Sequence, residues 1–159
     1  MARLKTTGFD EYIAKLEKIN TSAHGQIKMA IWEGARVASK ALSQGMQSIP
    51  VQDEFVPKNH IRTGITQAEK NAIVSHFGIA KMKDSGSATD THVGWKRGAF
   101  KRGDTYVPIV TLVRQIESGT SWLRKSPFAR KAVNSCRASA ESAMRERFET
   151  ELNKITGGI

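Results

Sequence analysis

Glu117 is the acid best placed to do chemistry in this chain. It closes the apolar run that begins at Val110 and is followed at once by the turn Ser118-Gly119-Thr120, where a general base could stand. Acid–base catalysis needs a second titratable group, and the sequence sets no acid, histidine or metal ligand beside it. The expected role is therefore structural: a carboxylate that accepts backbone N–H groups of the turn, or that pairs with Arg124 or Arg130. The histidines His24, His60, His76 and His92 fall in separate segments without H-x-x-x-H spacing, so no metal site is expected. The serines form no G-x-S-x-G elbow, and the glycines form no phosphate-cradling loop. Cys136 is the single cysteine, which excludes an internal disulfide; its place on the apolar stripe of the last helix reads as a small core residue. These residues point away from an enzyme, and no cofactor is expected.

A second cluster interleaves aromatics with cations: Trp95, Lys96, Arg97, Phe100, Lys101, Arg102 and Tyr106. Single-stranded nucleic-acid surfaces are built this way, with rings that stack on bases and cations that track phosphates. The other reading is a hairpin rim whose aromatics pack inward and whose cations face solvent or an acidic neighbour. Net charge is +10, and its distribution is uneven: Lys81 to Lys131 holds 11 Lys and Arg against 4 Asp and Glu, whereas Ala132 to the end holds 4 of each. Such a mid-chain basic belt suits a polyanion or an acidic protein surface.

The elements that must position these groups follow from periodicity. With 159 residues, 39% hydrophobic and 25% charged, the chain fits a single domain, 1–159, with a core of its own. No apolar run approaches the ~20 residues that span a bilayer, and no membrane partner is expected. Phe9, Tyr12, Ile13, Leu16 and Ile19 recur at helical spacing, with a doubtful stretch from Asn20 to Gly25. A second run, Ile27 to Ile49, carries Gly34, Ala38, Ala41 and Gly45 on one face, which allows another helix to approach closely, and Pro50 ends it. From Val51 to Gly64 the pattern fails. Its prolines, Asp53 and Gly64 predict an exposed loop, yet Phe55, Val56 and Ile61 are apolar and read as contacts to the core or to a neighbouring subunit.

Thr66, with Glu69 three residues on, fits a capping box for a short helix. Strands are expected at Phe77–Met82, Thr91–Trp95 and Thr105–Val107, with the stretch KRGAFKRGD between the last two as a loop. Ile109, Leu112, Val113 and Ile116 predict a further helix. The final helix runs from Phe128 with a stripe of Val133, Cys136, Ala140, Met144, Phe148, Leu152 and Ile155, started by Ser126 as N-cap with Pro127 in the first helical position, and stopped by Gly157 and Gly158. The predicted fold class is α+β: a small antiparallel sheet of about three strands covered by long N-terminal and C-terminal helices.

The string Ile116-Glu117-Ser118-Gly119-Thr120, followed after a short loop by Ser126-Pro127-Phe128-Ala129-Arg130-Lys131-Ala132, resembles the E-x-G-T and P-F-x-x-x-A signature of small tailed-bacteriophage head-tail joining and tail-completion (neck) proteins. Pro50, Thr63-Gly64 and Val93-Gly94 match more weakly upstream. The resemblance implies a non-enzymatic virion protein, assembled in the host cytoplasm as a homo-oligomeric ring at the head–tail junction, against other neck proteins and tail tube or terminator proteins. Glu117, Gly119, Thr120, Pro127 and Phe128 are then the structural motif. Phe55, Val56 and Ile61 fall to the subunit interface, and Lys96, Arg97, Lys101 and Arg102 to a surface facing DNA in the channel. The alternative is a basic nucleic-acid-binding module.

Overall fold

Two long antiparallel helices, one from each side of the chain, form the frame. The computed structural model describes residues 9–57, 60–85 and 88–156, with side chains over 24–57, 60–85 and 88–154. Helix α1 (Phe9–Gln47) is continuous through Asn20 to Gly25, since no proline there removes an N–H. Its first apolar positions, Phe9 to Ile19, lie outside the described side chains, as do Ile155 and the Gly157-Gly158 stop. Helix α4 (Phe128–Thr156) packs along α1. The small-residue face predicted on α1 is the contact: a Cβ on Gly34 would come within 2.5 Å of Met144 Cγ, and one on Gly45 within 3.3 Å of the Ala132 Cβ. Glycine is what brings the two backbones this close.

The α4 stripe runs as predicted from Cys136 through Ala140 and Met144, which meet α1 at Gly34, and departs from the prediction at Val133. Ala132 and Cys136 are buried with Phe128, whereas Val133 is 48% exposed, because the face that meets α1 follows the i, i+4 row from Phe128. Further along, Glu151 is buried, accepts a hydrogen bond from Lys154 Nζ at 2.9 Å and forms an ion pair with Arg147 at 2.9 Å. The Lys154 hydrogen bond holds its carboxyl below the usual range against partial desolvation, with the fields of Arg147 and Lys154 adding to it.

Between the long helices lie α2 (Gln67–His76), six short strands and α3 (Ile109–Ser118). The strands are β1 (Phe77–Ile79), β2 (Lys83–Asp84), β3 (Thr89–Asp90), β4 (Val93–Trp95), β5 (Ala99–Arg102) and β6 (Thr105–Pro108). The fold class is α+β, as the sequence predicts. Pairing differs in detail: the strands form three separate antiparallel ladders, β1 with β4, β2 with β3 and β5 with β6. Lys96 N–H still reaches His76 C=O at 2.8 Å, but Gly98 C=O then takes Ile109 N–H at 3.0 Å, which swings the chain off the first ladder into its own hairpin.

That hairpin replaces the loop expected over KRGAFKRGD. Gly103, with φ of 58°, opens the two-residue turn Gly103-Asp104 that the flanking right-handed strand twist favours. The core gathers at one end of the helix pair: Met46 of α1, Ile49 just beyond its end, Ile65, Ile73 of α2, Ile109, Leu112 and Ile116 of α3, Leu123 and Phe128. All four α3 positions predicted as apolar are buried. Among the described residues, no helix is long and apolar enough to cross a membrane.

Candidate functional site

The Glu117 motif folds into a junction between α3 and α4. Gly119 ends α3 with φ of 77° and ψ of 168°, a region that only glycine occupies without strain, and its N–H closes on Gln115 C=O at 2.9 Å. Thr120 then shapes the turn: its N–H donates to Leu123 C=O at 2.9 Å and its Oγ1 accepts Leu123 N–H at 3.0 Å. The chain returns beside α3, with Ser126 N–H on Ile116 C=O at 2.8 Å.

This return brings the start of α4 to Glu117. The carboxylate accepts Arg130 N–H on Oε1 at 2.8 Å and Ala129 N–H on Oε2 at 3.2 Å. Glu117 thus does accept backbone N–H groups, but those of the helix start rather than of the turn, and it does not pair with Arg124. Pro127 C=O takes the first helical hydrogen bond, from Lys131 N–H at 3.3 Å, so Pro127 occupies the N-cap position that Ser126 was expected to fill. Proline has no side-chain acceptor, and Glu117 supplies it from the preceding helix. Its charge also lies where the dipole of α4 favours an anion. Phe128 locks the arrangement from below, buried edge-on against Trp95 at 6.1 Å between ring centroids.

The basic cluster divides. Trp95 and Phe100 pack against the core, and Trp95 also meets Phe77 at 5.5 Å. Arg102 is not solvent-facing as predicted: it donates to the buried Glu69 carboxylate through Nε at 2.8 Å and through its second terminal nitrogen, and its guanidinium lies 4.8 Å over the Trp122 ring. Period-two alternation forces this, since Phe100 and Arg102 share the inner face of β5 while Lys101 points outward. Lys96, Arg97 and Lys101 stay exposed, with Tyr106 opposite Lys101 and 66% exposed.

Residues 51–65 form a loop closed at its base. Val51 bridges Ile65, Gln52 Oε1 accepts Thr63 N–H at 2.8 Å, Arg62 donates to Gln52 C=O at 2.9 Å, and Asp53 accepts Gln67 N–H at 2.8 Å. Arg62 further pairs with the 120–125 turn through Trp122 C=O and Arg124 N–H, each at 2.8 Å. From this base Phe55 projects with 90% of its surface exposed; Val56 is half-buried. Ile61, 61% exposed, lies instead at the edge of an open depression of about 600 Å³, with Thr63, Gly119, Leu123, Arg124 and Lys125. The three residues predicted for one interface are thus split between a projection and a hollow.

Sequence reasoning missed the Arg102–Trp122 stack and Lys70, whose Nζ donates to Gln47 C=O at 2.7 Å and Ile49 C=O at 2.9 Å and so closes the end of α1. Among the described residues, no three His, Cys, Asp or Glu side chains come together as a metal site requires. No protein-family model matches the chain, and comparison with curated proteins and with solved structures likewise returned no match.

Proposed function

We propose that this chain is a non-enzymatic, self-associating structural subunit, and that it forms a homo-oligomeric ring at the head–tail junction of a tailed-phage virion. The observation that carries self-association is Phe55. Its loop is hydrogen-bonded at the base through Gln52 and Asp53, its ring is 90% exposed, and covering that apolar surface with a neighbouring copy removes it from water. The virion assignment is supported by the Glu117-to-Ala132 motif, whose members Glu117, Gly119, Thr120, Pro127 and Phe128 act together as one junction. Both carboxylate oxygens of Glu117 are engaged by backbone N–H groups, which favours a structural over a catalytic use. In the ring, Lys96, Arg97 and Lys101 line the face toward DNA, while neck and tail-tube or terminator proteins cover the two rims.

Mass photometry and negative-stain electron microscopy of the purified protein test this: closed rings of one stoichiometry are expected, and a monomer at tens of micromolar overturns it. A second reading, a basic nucleic-acid-binding module, is favoured by one placement, Tyr106 exposed directly across from Lys101. It requires affinity for single-stranded DNA that falls steeply with salt and is lost in Lys96→Gln/Arg97→Gln/Lys101→Gln. A ring subunit with the same triple change still folds and assembles, and loses only DNA retention or passage.

A further inference from the structure

We infer that Phe55 of one copy seats in the depression between Ile61 and the 118–125 turn of a second copy, with Glu54 set against Arg124 and Lys125. The inference rests on the self-associating reading above and names both halves of its contact. The projecting half is Asp53-Glu54-Phe55, an aromatic led by two carboxylates, of which Asp53 is tied to α2 through Gln67 N–H. The receiving half has Leu123 as its buried floor, Ile61 as an apolar wall, and Arg124 and Lys125 at the rim. The depression is open, with a volume of about 600 Å³, larger than one aromatic ring, so a ring can lie on the Leu123 floor.

Charge selects the occupant. Glu54, Arg124 and Lys125 are exposed, and none has an ion-pair partner among the described residues. A second copy carries the acid and the aromatic in the order that the basic, apolar-floored hollow accepts, and opposite charges at a rim fix register and speed encounter. The same chain does not fill its own hollow, since its Phe55 stands 90% exposed. The receiving half is braced by backbone bonds from Arg62 to Trp122 and Arg124, and the projection is tied at its base through Gln52 and Asp53, which lowers the ordering cost of the contact. A projection and a hollow on different segments make a contact that closes into a ring or pairs reciprocally in a dimer.

Photo-crosslinking decides it, with p-benzoylphenylalanine in place of Phe55 and a 1:1 mixture of isotopically light and heavy protein. The expected product joins residue 55 of one copy to the 118–125 peptide of the other, and denaturing gels show a ladder. Phe55→Ser should weaken association at least about 30-fold, as loss of a central aromatic does. Glu54→Lys and Lys125→Glu should each weaken it, and together restore it. Crosslinks to another surface, or none while the unmodified protein still assembles, overturn the inference and leave the ring reading standing. Crosslinks to 118–125 that stop at a dimer support the contact but overturn the ring. An unmodified protein that stays monomeric and gives no crosslink overturns both.

Discussion

Two helices in this molecule begin under a glutamate carboxylate, and they differ in where that glutamate comes from. At α2 the cap is local: Thr66 Oγ1 accepts Glu69 N–H at 3.2 Å while Glu69 accepts Thr66 N–H at 2.9 Å, and the other Glu69 oxygen holds Arg102. At α4 the cap is remote: Glu117, on the preceding helix, serves Ala129 and Arg130. The local cap fixes one helix. The remote one also fixes the angle between two helices, because Glu117 reaches α4 only if Gly119 turns the chain back on itself.

The comparison breaks hardest at Phe128. Removing its buried ring should cost about 3–5 kcal/mol, measured by chemical denaturation of Phe128→Ala, because the remote cap has no use unless the helix beneath it is anchored. An unchanged unfolding midpoint would show that Glu117 alone seats α4. Glu69→Ala should come next, at about 2 kcal/mol, less than for a fully buried pair because Arg102 is one-third exposed. Adding Arg102→Met should recover part of the loss if the orphaned charge, rather than the missing cap, dominates.

The smallest effect, about 1 kcal/mol, is expected for Glu117→Ala. It sharpens the contrast most when combined with Pro127→Asp, which offers Ala129 and Arg130 N–H groups a local acceptor. Recovery of the midpoint would show that the remote cap acts on the helix start alone. Failure to recover would show that its role lies in the interhelical angle.

What was legible in the sequence follows the same division. The Thr66-Glu69 box, the α3 apolar positions and the small-residue face of α1 are governed by spacings within one element, and the structure has them as read. The Glu117 contact spans 13 residues to Arg130, and its partners are set by how the junction folds. Arg102 was misassigned because composition gave it the same standing as Lys101, whereas one step along a strand sends neighbours to opposite faces. Ile61 is grouped with Phe55 by proximity in the chain, but its neighbour Arg62 bridges Leu123, which carries Ile61 to the edge of the hollow beside the distant 120–125 turn.

The pairing of α1 with α4 sets the order of events during synthesis. The helices are separated by roughly eighty residues, a closure that costs about 4 kcal/mol in chain entropy before the contact returns anything. At ~5–20 residues per second, α4 is complete roughly 5–20 s after α1 leaves the ribosome. Throughout that interval α1 stands without its long partner. Where α4 will lie closest, α1 presents Gly34 and Gly45, so at those two points the waiting helix shows no side chain to other nascent chains.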